Sequence, residues 1–235
     1  MDGTSTRAMV EIRAWLRLAP LLTEYLPFPE GSLSAPALTA VLDEVLLGQR
    51  TVLLELGSGP SSILLARVLA RRGFGRLLTI EHDERRAAYV DMQLRHEGLQ
   101  QIAQVAHVPL AAHPAALNDL PWYAPKQIRD EVTRYVERVG LVDLLLVDGP
   151  TLPETAAPAR ENGARPTKPR PCGALLRYPA LPVLRGALAP EAVVLVDDAD
   201  RPEDMTLLRR WGEEFTMRFR VDATTRLARA ALTPP

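Results

Sequence analysis

Thr51-Val52-Leu53-Leu54-Glu55-Leu56-Gly57-Ser58-Gly59-Pro60-Ser61-Ser62 is the stretch whose reading decides the fold. Its first six residues are almost all apolar or β-branched and too few for a helix, which predicts a strand buried on both faces. Gly57 and Gly59 supply a turn in which backbone can approach a ligand closely, and Pro60 suits a first helical turn, where its missing N–H costs nothing. Ile63, Leu64, Val68 and Leu69 then recur at helical spacing up to Arg71. Strand, Gly-rich turn and helix make a nucleotide-binding half-unit.

A lone G-x-G also serves a plain β–α turn, so its neighbours decide its meaning. Leu77-Leu78-Thr79-Ile80-Glu81 predicts a second buried strand, and its terminal acid lies 22 residues beyond Gly59, the distance at which a ribose-binding carboxylate is expected. With Glu55-Leu56-Gly57-Ser58-Gly59 and Glu81 together, the chain resembles the class I S-adenosylmethionine-dependent methyltransferases, whose first motif is E-x-G-x-G and whose second strand ends in an acid. The resemblance implies that Glu55, Gly57, Ser58, Gly59 and Ser61 hold the amino acid end of S-adenosylmethionine, and that Glu81 takes the ribose. By position it puts His82, Pro109 and Leu110 beside the adenine.

Around this unit the chain predicts α/β architecture throughout. Met9, Ile12, Trp15 and Leu16, then Leu38, Val41, Leu42 and Val45, fall at helical spacing on either side of a Pro/Gly-rich break at residues 27–31. Residues 1–50 are therefore a helical lead, which the resemblance places over the substrate side of a Rossmann-like domain at 51–235. Asp83 caps a helix with Ala88 and Met92 inward; Ile102 to Val108 is a third strand; Trp122 and Tyr123 sit in a turn-rich segment before a charged helix opened by Pro125. Val142 to Asp148 is a fourth strand, with Asp143 at the end remote from a ligand and hence structural. Residues 151–173 form a Pro-rich loop read as either a disordered excursion or a lid over the active site. Ala192 to Asp198 is a fifth strand, and Pro202 opens a helix. Two extended runs, Phe215 to Val221 and Arg226 to Leu232, have no helix between them and form an antiparallel hairpin. The fold class is a doubly wound, mostly parallel sheet closed by that hairpin, which resembles the seven-strand methyltransferase type.

Asp148, Asp197 and Asp198 end the fourth and fifth strands, which lie about 4.8 Å apart if adjacent. Acids so placed repel and raise one another's pKa, and a hard cation such as Mg²⁺ relieves this through oxygen ligands. One acid after strand four and Asp-Asp after strand five resembles the metal-dependent catechol-type and sugar O-methyltransferases. That resemblance implies Asp148 and Asp198 as catalytic residues and all three acids as metal ligands. It also has a gap, since Thr151 and Pro150 stand where those enzymes carry a lysine base or a further acid. The competing reading has Asp198 or Asp200 capping the Pro202 helix, Asp197 paired with an arginine, and Asp148 alone facing the donor.

The chain has 235 residues, a formal net charge of −1 and 47% hydrophobic residues, values of an ordinary globular domain that give no field to attract nucleic acid or acidic lipid. Lys126 and Lys168 are the two lysines among 28 basic residues, a bias expected of genome composition. Cys172 is the single cysteine, and no apolar run approaches the roughly 18 residues of a membrane span. A cytoplasmic enzyme methylating a small hydroxylated acceptor at oxygen is the expectation. The alternatives are a nicotinamide-dependent oxidoreductase, because Gly57, Gly59 and Ser62 nearly satisfy G-x-G-x-x-G/A, and a non-catalytic nucleotide-binding module.

Overall fold

Strand β1 (Val52–Leu56) sends Leu54 and Leu56 into one hydrophobic core and Leu53 into another, as the two-residue period of a strand requires. The same division runs through β2 (Arg76–Glu81), where Leu78 and Ile80 oppose Leu77, and through β6 (Val142–Val147), where Leu145 and Val147 oppose Leu144 and Leu146. Both faces of the sheet must therefore be covered. Helices α2 (Ala35–Leu47), α3 (Pro60–Arg72) and α4 (Glu84–His96) cover one face; α5 (Pro125–Val139), α7 (Ala180–Leu184) and α8 (Pro202–Phe215) cover the other.

The computed structural model describes residues 3–151 and 173–232. Its main sheet adds β3 (Ala103–His107), β7 (Leu188–Val196), β8 (Arg220–Val221) and β9 (Ala228–Ala231), in the order β3-β2-β1-β6-β7-β9-β8. The first five are parallel, and β9 runs antiparallel between β7 and β8. The order reverses direction between β1 and β6, the topological switch point at which open α/β sheets bind ligands. Helix α1 (Gly3–Leu18) packs on α2. No described helix is long and apolar enough to cross a membrane. Almost all of the Pro-rich loop, residues 152–172, lies outside the described residues.

Several local expectations are corrected. Trp122 and Tyr123 are not in a bare turn; they lie in β5 (Pro121–Tyr123), antiparallel to β4 (Leu110–Ala112), and both are fully buried. A three-residue strand between turn-forming neighbours is too short to show a period. Helix α4 buries Ala87, Val90 and Leu94, leaving Met92 exposed. In α1 it is Ala14 and Leu18 that face α2, whereas Met9, Ile12 and Leu16 are exposed. Of the run from Phe215 to Val221, only Arg220–Val221 pairs as strand.

Asp143 stands at the ligand-remote end of β6. It accepts hydrogen bonds from the Thr51 N–H (2.7 Å), Thr51 Oγ1 (2.9 Å) and the Val52 N–H (3.1 Å), fixing the register at which β1 enters the sheet. Asp143→Ala should cost about 2 kcal/mol, because three part-buried donors lose a charged acceptor. The urea midpoint should fall while ligand affinity at the opposite strand ends is unchanged; a loss of affinity without a loss of stability would contradict the structural role.

Candidate active site

The chain turns sharply after β1. Gly57 has φ +93°, and a Cβ there would meet Gly149 N at 3.0 Å; reciprocally, a Cβ on Gly149 would meet Gly57 Cα at 3.1 Å. The loops leaving β1 and β6 thus touch glycine to glycine. The Gly149 N–H also donates to the Leu56 carbonyl (2.7 Å). Gly59 differs, since a Cβ on it would meet no atom within 4 Å. Its open side adjoins a cavity of about 580 Å³, within the usual range of small-molecule sites, about 300–1,000 Å³.

Gly57, Ser58, Gly59, Ser61, His82 and Asp148 all line that cavity. The carboxyl ends of β1, β2 and β6 bring them together. Glu55, Glu81, Pro109, Leu110, Asp197 and Asp198 are not among its lining residues. Pro109 instead accepts a backbone hydrogen bond from Ala124, and Leu110 pairs with Tyr123.

The two glutamates stand behind the turn, where they hold its shape. Glu55 is fully buried and accepts from Ser61 Oγ and Ser62 Oγ, each at 2.5 Å. Burial pushes its carboxyl up to about 7, against the pull of Ser61, Ser62 and Thr79, with the Glu81 charge adding to the rise. Ser62 Oγ in turn accepts from the Gly59 N–H (3.2 Å), so Glu55 acts on the loop through α3. Glu81 is equally buried and accepts from the Ser58 N–H (2.7 Å), Ser58 Oγ (3.0 Å), and the His82 and Asp83 N–H groups (2.8 Å each). Burial would raise its pKa, but His82 and the Asp83 and Ser58 amides outweigh it and hold the carboxyl at about 2. With both oxygens engaged by protein donors, Glu81 buttresses the turn from behind the cavity wall.

The three aspartates do not converge as a metal site. Asp198 has φ +57°, and its carboxylate is taken by Arg226 Nη2 on Oδ1 (2.7 Å) and by Arg201 Nη2 on Oδ2 (2.5 Å). Asp200 pairs with Arg226 as well (2.8 Å), and neither acid caps α8, whose N-cap is Arg201. Burial and the neighbouring Asp197 push the Asp148 carboxyl well above its ordinary value, against the Arg177 charge. Burial and Asp198 likewise raise Asp197 to about 6. Among the described residues, no group of three or more His, Cys, Asp or Glu side chains is placed to hold a metal ion.

Sequence reasoning missed two contributors to the cavity. Tyr25, Pro27, Phe28 and Leu33, from the connection between α1 and α2, form one wall, and Arg86 and Tyr89 of α4 form another. Arg86, Tyr89 and Val90 share one helical face three and four residues apart, a spacing that was available in the sequence. The Tyr25 to Leu33 segment carried no periodic signal, and only its apolar and aromatic content hints at a lining role.

No family model matches the chain, and no curated protein sequence matches it. Solved structures do. The O-methyltransferase TomG from Streptomyces achromogenes, involved in tomaymycin synthesis and solved with SAM, is 20% identical, covers 99% of this chain and 91% of its own, and gives a TM-score of 0.54. A putative caffeoyl-CoA O-methyltransferase from Staphylococcus aureus is 11% identical, with 95% and 91% covered and a TM-score of 0.53. An SAH-bound methyltransferase from Podospora anserina is 12% identical, with 96% and 88% covered and a TM-score of 0.54. At these identities the likeness is one of architecture, and the chain has the doubly wound, seven-stranded fold of these methyltransferases.

Proposed function

We propose that the chain is an S-adenosylmethionine-dependent methyltransferase acting at oxygen on a small hydroxylated molecule. The observation that carries the reading is the cavity over Gly57-Ser58-Gly59, at the switch point of a sheet whose similar structures include SAM- and SAH-bound proteins. The unfilled side of Gly59 is the cradle such a donor needs, and His82, Arg86 and Tyr89 supply a polar and aromatic wall for its nucleoside.

The donor supplies a methyl group already activated by the sulfonium charge, so the chain chiefly orients the reactants. The Gly57-Ser58-Gly59 turn, stiffened from behind by Glu55 and Glu81, fixes the donor end of the line. Tyr25 and Phe28 bring the helical lead of residues 1–50 to the cavity wall, and we assign that lead to covering the acceptor. Asp148 takes the hydroxyl proton on its carboxylate as the acceptor oxygen bonds to the methyl carbon and the carbon–sulfur electron pair returns to sulfur. A raised pKa makes that carboxylate a stronger base than an exposed one. Asp198, tied to two arginines away from the cavity, takes no part.

Calorimetry with S-adenosylmethionine, its demethylated product and NAD tests the reading: the first two should bind and NAD should not. Gly59→Val should leave the protein folded, since its Cβ meets nothing, yet weaken donor binding about 30-fold, or about 2 kcal/mol, by filling the cradle. Tight NAD binding with no binding of S-adenosylmethionine would instead make the chain a dinucleotide protein.

A further inference from the structure

The acids after β6 and β7 already have a cation inside the protein. Arg177 follows α6 (Gly173–Leu176) and is 5% exposed. Its Nη1 donates to the Asp197 carbonyl and its Nη2 to the Asp148 carbonyl, both at 2.7 Å, so one guanidinium ties together the carboxyl ends of adjacent strands. Nη2 also stands 3.9 Å from Asp148 Oδ1, and Nη1 stands 3.7 Å from Asp204 Oδ1. Asp204 is almost fully buried in the first turn of α8, and its Oδ1 has no hydrogen-bond partner among the described residues. Burial lifts its carboxyl to about 6, against the Arg177 and Arg201 charges.

We propose that Arg177 is the resident cation of the cluster formed by Asp148, Asp197 and Asp204, standing in the place where the metal-dependent O-methyltransferases that the chain resembles would hold a divalent ion. In its positioning role this rests on the methyltransferase reading. Three observations carry it. A buried guanidinium is fixed between the strand ends by two backbone carbonyls, so it cannot swing aside for a metal without leaving those carbonyls unpaired. Asp198, the further ligand that a metal would need, is withdrawn by Arg201 and Arg226. The orphan oxygen of Asp204 faces the guanidinium at a distance at which its charge still counts. Arg177 is thus a positioning residue: it holds the Asp148 backbone and moderates the Asp148 carboxyl, while Asp148 alone reaches the cavity. Methyl transfer in this chain then needs no divalent metal.

Mn²⁺ alone, read by the loss of its free solution spectrum, tests this without donor or acceptor, so its outcome is separate from that of the donor calorimetry. Wild-type protein should leave Mn²⁺ free. Arg177→Gln, which empties the cluster of its cation, should lower the melting temperature by several degrees at about pH 8 and by less at about pH 5, where Asp197 and Asp204 take up protons. Arg177→Lys should recover part of that loss, since the charge is restored. A second measurement needs no variant: wild-type melting temperature should not move between excess chelator and excess Mg²⁺. Stoichiometric Mn²⁺ binding by the wild type, a metal-dependent rise in its melting temperature, or an Arg177→Gln protein that melts with the wild type at about pH 8 would each overturn the proposal.

Discussion

Glu81→Ala should lower stability by about 3–5 kcal/mol, more than any effect it has on a ligand. Four donors converge on this carboxylate, three of them backbone N–H groups of Ser58, His82 and Asp83, and His82 Nδ1 lies 3.0 Å from Oε1. Each buried donor left without a partner costs about 1–3 kcal/mol, and alanine leaves several at once. The expectation for pH has the opposite sign to that of the other buried acids. A folded pKa near 2, below the ordinary 4.5, means that the ionised carboxylate favours the fold; this contribution is full above pH 4.5 and is lost as pH falls through 2. Urea unfolding of Glu81→Ala at pH 7 checks the first statement. Unchanged stability with lost donor affinity would return Glu81 to direct contact with the ribose.

Glu55→Gln should flatten the pH dependence of stability by about 3 kcal/mol, since each tenfold difference in proton affinity between the folded and unfolded chain is worth about 1.4 kcal/mol. The folded carboxyl is raised to about 7 from 4.5, so the folded chain holds a proton that the unfolded chain has released. Its contribution is complete below pH 4.5 and lost as pH rises through 7. Asp197 and Asp204, each raised to about 6, steepen the same limb. Wild-type stability should therefore peak near pH 4.5 and decline toward about pH 8. Above pH 7 the glutamine variant should be the more stable protein, because a neutral amide can still partner Ser61 and Ser62 without a buried charge. Parallel pH curves for the two proteins would show that folding leaves the Glu55 carboxyl at its ordinary value.

The sheet was legible because its strands are buried on both faces and end on turn-forming residues: 51–56, 77–81 and 142–148 are each short, mostly apolar runs. The final hairpin followed from a change of period, although the pairing of its first arm shrank to two residues, since an edge strand needs few partners. The site was legible where backbone makes it, at Gly57 to Gly59, and at the strand-end residue Asp148. It was not legible where a side chain's direction matters. Glu81 sits where a ribose ligand should, yet its oxygens turn back to Ser58, a choice set by three-dimensional neighbours. Arg177 lies 29 residues after Asp148 with a Pro-rich stretch between, and no local pattern announces that it returns to the same strand end. Trp122 and Tyr123 read as loop aromatics because their strand is shorter than one full period of evidence.

The contact of Gly57 with Gly149 limits how this protein can diversify. With two backbones touching and no side chain between them, the floor of the cavity and the mount of Asp148 form one rigid joint, and a residue larger than glycine at either position would pry both apart. Changes in what the cavity admits must then arise elsewhere, on the wall that no strand end constrains. Tyr25, 87% exposed, and Phe28 on the same wall are the places where substitutions can reshape the cavity while its floor stays still.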